Sequence, residues 1–92
     1  MIRSFACDET RKLFETGKSR RFSSIAKVAL RKLDQLDNVT QPRSLATPPG
    51  NCLEALKGNR IGQFSIRINK QLRVCFRWSD NGPEGVEIVD YH

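Results

Sequence analysis

The sequence predicts an α+β domain, with two helices packed on one face of a mostly antiparallel sheet. Three observations predict it. Gln63–Ile68 and Leu72–Trp78 alternate polar and apolar side chains on either side of the polar loop Asn69-Lys70-Gln71. Upstream, Ile25, Val28, Ala29, Leu33 and Leu36 recur at helical spacing. The later strand-like segments are separated by short turns, which favour antiparallel neighbours.

The first element is Ile2–Phe5, apolar at alternate positions and predicted as a strand. Asp8 can cap a short helix over Asp8–Thr16 through its carboxylate; Leu13 and Phe14 are its apolar residues and Gly17 its stop. Lys18-Ser19-Arg20-Arg21 is a basic connector. Ser23 or Ser24 then opens a helix running to about Asp37, with Lys27, Arg31, Lys32 and Gln35 opposite the apolar stripe. From Asn38 to Gly50 the prolines at 42, 48 and 49 predict a loop that crosses back over the fold. Cys52–Lys57 reads as a strand, Gly58-Asn59 as a turn, and the central hairpin follows. Ser79-Asp80-Asn81-Gly82-Pro83 is a turn, and Gly85–Tyr91 is the last strand. The order is therefore strand, helix, helix, four strands, and the helical pair permits a parallel return beside the first strand.

Side chains of a strand alternate between two faces. The hairpin thus collects Phe64, Ile66, Ile68, Leu72, Val74, Phe76 and Trp78 on one face, which needs a cover. Ser65, Arg67, Arg73, Cys75 and Arg77 share the other, a basic surface suited to a polyanion.

Composition narrows the function. Ninety-two residues, 38% hydrophobic and 28% charged, make one folded domain spanning residues 1–92. No apolar run approaches the ~20 residues of a membrane span. The opening Met1-Ile2-Arg3-Ser4-Phe5 lacks the apolar stretch of a signal peptide, so a cytoplasmic protein with no membrane partner is expected. Sixteen Lys+Arg against ten Asp+Glu give +6 and a pI near 9.7. Such a charge attracts phosphate backbones, although it also serves solubility. Cys7, Cys52 and Cys75 are odd in number and form no CxxC pair, which argues against a disulfide framework or zinc site. The one histidine stands at position 92, so a His/Cys metal cluster has too few ligands. No cofactor is expected; carboxylate ligation of magnesium stays open on composition alone.

Residues suited to chemistry fall in three places: Lys57 before a turn, Arg73 on the basic strand face, and the terminal Asp90-Tyr91-His92. Each suits phosphodiester cleavage. An RNA 2′-hydroxyl attacks its own phosphate once a base takes its proton and an acid protonates the leaving 5′-oxygen. An imidazole side chain exchanges protons near neutral pH, so His92 suits that role, with Asp90 to orient it or to accept a proton itself. Lys57 and Arg73 offer positive charge for the phosphate, and Tyr91 a ring on which a base can stack. Each residue also has a plain structural reading. His92 can be a frayed chain end, Tyr91 an edge residue, Asp90 and Arg73 a surface ion pair, and Lys57 a solvated turn residue.

The segment Leu53-Glu54-Ala55-Leu56-Lys57-Gly58-Asn59-Arg60, the strands Ser65–Asn69 and Leu72–Phe76, the opening Met1–Phe5 and the ending Val86–His92 together resemble the HigB toxins of the RelE/ParE superfamily. The resemblance covers nearly the whole chain. It implies a RelE-like microbial RNase fold and a type II toxin that cuts mRNA in the ribosomal A site without a metal. It also implies a HigA-type helix-turn-helix antitoxin as partner, the 70S ribosome with its mRNA as target, and DNA contact only through the antitoxin. On matching positions it assigns catalytic roles to Lys57, Arg73, Asp90, Tyr91 and His92. Where some relatives have an active-site histidine this chain has Glu54, a possible base or positioning residue. Lys18, Arg20, Arg21, Arg67 and Arg77, with the exposed cations of the helices, are the expected contacts to RNA and ribosome. Two other readings stand beside this one: a ParE-like inhibitor of DNA gyrase, and a non-catalytic module that binds RNA or a partner through the basic face.

Overall fold

A computed structural model of the chain describes residues 1–90, so Tyr91 and His92 lie outside the described residues. Helix α1 spans Asp8–Thr16 and stops where Gly17 turns left-handed at φ 75°, its N–H donating to the Leu13 carbonyl at 2.8 Å. Asp8 does not cap it. The cap position is Cys7, which makes no side-chain bond, and Asp8 already belongs to the first turn. There its negative charge suits the helix dipole, and its carboxylate accepts from Arg11 at 2.6 Å. Helix α2 spans Ala26–Asn38 and is entered through a 3₁₀ turn at Ser23–Ile25; neither serine caps it. Instead the Ser19 hydroxyl accepts from the Phe22 N–H at 3.1 Å.

Four strands follow: β1 (Glu54–Ala55), β2 (Gln63–Arg67), β3 (Leu72–Ser79) and β4 (Gly82–Asp90), in spatial order β1-β2-β3-β4 and all antiparallel. The apolar stripe of α2 and the inward residues of the hairpin meet as expected. Leu13, Phe22, Ala29, Leu33, Leu36, Ile66, Val74, Phe76 and Val86 form one buried cluster between helices and sheet. Phe76 anchors it, stacking on Phe64 and meeting Trp78 edge-on, with ring centroids 6.0 and 6.4 Å away.

Several boundaries differ from those read in the sequence. The first strand reduces to a single parallel bridge between Phe5 and Val86. The physical reason lies in β4, where Cys75 pairs with Glu87 but Arg77 pairs with Glu84, an extra residue marked by Gly85 at φ 61°. This bulge interrupts any continuous ladder along the edge. The N-terminal segment still covers that edge: Arg3 N–H donates to Pro83 O, Val86 N–H to Ser4 O and Ala6 N–H to Val86 O. The fully buried Thr10 of α1 continues the series, its hydroxyl accepting the Ile88 N–H at 3.0 Å.

The strand predicted over Cys52–Lys57 contracts to β1. Cys52 sits in the left-handed region at φ 46°, and the chain past Lys57 curls into a 3₁₀ turn at Gly58–Arg60. One further bond, Leu56 N–H to Gln63 O at 2.9 Å, carries the pairing to Leu56. The turn after Trp78 is also shorter than predicted, because β3 continues to Ser79 and β4 starts at Gly82. Gly82 (φ 123°) lets the N-terminus pass close by, since a Cβ there would lie 2.5 Å from the Met1 carbonyl oxygen.

The long loop before β1 is tied down by a residue that composition did not single out. Asn51 is fully buried; its amide donates to Gln35 Oε1 at 2.9 Å and Leu45 O at 3.0 Å. Its Oδ1 accepts from Lys32 Nζ at 2.5 Å. The side of α2 opposite the apolar stripe is therefore partly occupied by this network rather than wholly solvated.

Candidate active site

Ladder alternation turns Glu54, Ser65, Arg67, Arg73, Cys75, Arg77 and Glu87 to the face away from the helices. One row runs straight across it: Glu54 opposite Ser65, Ser65 opposite Cys75, Cys75 opposite Glu87. Arg67 and Arg73 are direct partners in the next row. This face is not the uniformly open basic surface that alternation suggested, for Ser65 and Cys75 are fully buried. Leu56, opposite Gln63 and 5% exposed, lies on the same face outside the main core cluster. Arg60 reaches over from its turn and donates to Gln63 Oε1 at 3.0 Å and to Glu87 Oε1 at 3.1 Å. Sequence reasoning missed these covering residues, because the tight turn that aims Arg60 is set by tertiary pairing.

Arg73 is the most constrained cation of the face. Its Nε donates to the buried Ser65 hydroxyl at 2.7 Å and its Nη2 to the Cys52 carbonyl at 2.5 Å. The left-handed turn at Cys52 and the register of β2 on β3 thus fix one side of the guanidinium plane. Among the described residues Nη1 has no protein partner, which leaves a donor for a ligand. Glu54 lies on the same face, as the cross-strand partner of the serine that holds Arg73. Lys57 lies farther along this edge, exposed, where the chain leaves the sheet.

Asp90 is placed differently. It lies opposite Leu72, and Val89 faces Arg73, so the Asp90 and Arg73 side chains leave opposite faces of the sheet. A surface ion pair between these two residues is therefore replaced by separate contacts: Gln71 Nε2 donates to Asp90 Oδ2 at 2.8 Å. The expected contributions of Tyr91 and His92 lie outside the described residues.

The expected RNA contacts also separate. Arg67 and Arg77 belong to the Arg73 face. Lys18 and Arg20 line a depression of about 790 Å³ with Glu9, Lys12 and Ser23 at the helical layer. Arg21 is exposed and stacks over Phe22 at 5.1 Å from the ring centroid. Among the described residues, no three His, Cys, Asp or Glu side chains are grouped to hold a metal ion, and no helix is long and apolar enough to cross a membrane.

Burial pushes the Cys75 thiol up from its ordinary range, against the opposing pull of the nearby Arg60 guanidinium. A raised thiol pKa means that folding favours the neutral form. Its contribution to stability is complete below the ordinary thiol range of about 8.5 and is lost as pH rises from there through the folded value. At pH 8 a thiol reagent is expected to label the exposed Cys52 in the native protein and to reach Cys75 only on unfolding. Peptide mapping after labelling checks this, and native labelling of Cys75 at the Cys52 rate would contradict the burial.

A family model described as a HigB-like, RelE-like toxin of type II toxin–antitoxin systems matches residues 3–92. The chain is 48% identical over 58 residues to Toxin HigB-1 of Vibrio cholerae, covering 63% of this chain and 61% of that protein. It is 37% identical over 59 residues to an uncharacterized protein of Haemophilus influenzae, covering 64% and 58%. The matched stretch thus spans about three-fifths of the length of these curated relatives. The backbone is similar to a chain of the YoeB–YefM complex from Staphylococcus aureus, with a TM-score of 0.58 and 20% identity over 100% of this chain and 95% of that one. At that identity the likeness is one of fold.

Proposed function

Because the chain belongs to the HigB-like family of RelE-like toxins of type II toxin–antitoxin systems, we propose that it is itself a toxin that cleaves mRNA on the ribosome without a metal. The observation that carries the reading is the Arg73 guanidinium, held by Ser65 and the Cys52 carbonyl with Nη1 left for a ligand. A planar fork of donors fixed in this way suits the charge that builds on a phosphate under attack, and costs no reorganisation when the charge appears.

In the proposed reaction the 2′-oxygen of the substrate forms a bond to the adjacent phosphorus and the bond to the 5′-oxygen breaks. The products are a 2′,3′-cyclic phosphate and a free 5′-hydroxyl. Glu54, whose carboxylate shares the Arg73 face, takes the 2′-hydroxyl proton. His92 returns a proton to the leaving 5′-oxygen, Tyr91 stacks on a base, and Lys57 adds positive charge beside the phosphate. Asp90, on the other face at the end of β4, positions rather than reacts, through its bond to Gln71. The proposed partners are a HigA-type antitoxin, which holds the activity off, and the 70S ribosome with its mRNA, in the cytoplasm.

Primer extension on mRNA translated in a purified system, with and without ribosomes, tests the proposal. Cuts that appear only with ribosomes are the expected result. Equal cutting of naked RNA would make the protein a free ribonuclease, and a folded protein that cuts under neither condition would overturn the enzymatic reading.

A further inference from the structure

A second cationic feature adjoins the Arg73 face. Between α2, the loop at Pro48 and Gly50, and the turn after β2 lies a groove of about 510 Å³, with Arg31, Lys32 and Arg67 in its lining and no carboxylate. Arg67 spends only its Nε on the protein, donating to the Asn69 carbonyl at 3.1 Å. Its two terminal nitrogens have no protein partner among the described residues. Asn69 accepts two backbone N–H groups on its Oδ1, from Gln71 and Leu72, which leaves its amide nitrogen as a donor. Lys32 is anchored by Asn51, and Arg31 is exposed on the same side of α2. Neither of the ion pairs formed among the described residues includes any of these three cations. The lining therefore offers donors and positive charge, the chemistry of an anion site.

Continuity says which anion. Arg67 and Arg73 are direct cross-strand partners, and like charges in that position destabilise a sheet unless something negative lies beside them. Their guanidinium groups diverge. Arg73 turns toward β1 and Cys52, while Arg67 turns toward Asn69 and the groove. The cations thus form a track from Arg73 through Arg67 around the end of the sheet to Arg31 and Lys32. We propose that this groove holds a backbone phosphate of the single-stranded RNA substrate, next along the strand from the phosphate at Arg73. The assignment of the second phosphate rests on the nuclease reading of the Arg73 face.

The test measures binding without cleavage, by fluorescence anisotropy of a labelled 2′-O-methyl RNA oligonucleotide that has no 2′-hydroxyl to attack. Affinity is followed against salt for the wild type, Arg31→Gln, Arg67→Gln, Arg73→Ala and Arg43→Gln. The last removes the same charge from an exposed residue outside the groove. Each groove variant is expected to flatten the slope of log K against log salt by about 0.7, the value for one phosphate contact on a single strand. Arg43→Gln is expected to leave the slope unchanged, and thermal melts verify folding throughout. Equal flattening in Arg43→Gln would overturn the groove in favour of a general field. So would unchanged slopes in both groove variants while Arg73→Ala weakens binding, a result that leaves the nuclease reading standing. Groove variants that bind the oligonucleotide normally but bind ribosomes less tightly would also overturn it, by making ribosomal RNA the occupant. Flattened slopes in a protein that never cleaves mRNA would sustain the groove and overturn the nuclease instead.

Discussion

Arg73→Ala is expected to lower ribosome-dependent cleavage by about 10²–10³-fold, the usual loss when one fixed donor to a developing oxyanion is removed. The protein should still fold, because Arg73 is half-buried and the main core lies on the other face of β3. Arg73→Lys is expected to recover little. A lone ammonium keeps the charge, but it lacks the fork that binds Ser65 and Cys52 on one side and a phosphate on the other. Ser65→Ala keeps Arg73 and removes the bond to its Nε, and a smaller loss, on the order of tenfold, is expected there. Single-turnover rates on programmed ribosomes, with melting curves for each variant, check the series. Full activity in Arg73→Ala would remove this guanidinium from the chemistry.

The second large effect is on stability. Asn51→Ala is expected to cost about 2–4 kcal/mol, since it leaves the Leu45 carbonyl and the Lys32 ammonium without their partner in a part-buried setting. For a domain of this size that corresponds to a fall in Tm of about 10–25 °C. Asn51→Asp is informative beside it. The carboxylate can still accept from Lys32, but it has no N–H for Leu45 or Gln35, so it should recover only part of the loss. Calorimetry on the three proteins decides the matter. A change under about 0.5 kcal/mol in Asn51→Ala would mean that the loop is held by other contacts.

Much of the architecture is legible in the chain because it depends on short-range periodicity. The stripe of α2, the extent of α1, its glycine stop and the two faces of the hairpin all follow from side-chain spacing of 3.6 or 2. The family resemblance was likewise carried by residues that can be quoted in order, from Leu53-Glu54-Ala55-Leu56-Lys57-Gly58 onward. Arg73 was legible as a candidate by its strand face, but its anchors were not. The Ser65 bond depends on cross-strand register, and the Cys52 bond joins positions 21 residues apart.

Several of the departures from expectation depend on groups distant in the chain. Ile2–Phe5 makes one bridge because a bulge at Gly85 breaks the edge it runs along. The β1 strand is short because Cys52 adopts a left-handed turn that periodicity does not encode. Chemistry groups Asp90 with Arg73, yet ladder parity sends the two to opposite faces. No local pattern marks Asn51, and only the return of the loop buries it against α2. Local sequence thus determined which residues form helices and hairpin, and which apolar face needs a cover, because those choices depend on neighbours a few residues away. Only the tertiary structure decided which polar side chains meet, because a hydrogen bond reaches about 3 Å and the groups that share one here come from strands, turns and loops far apart in the chain.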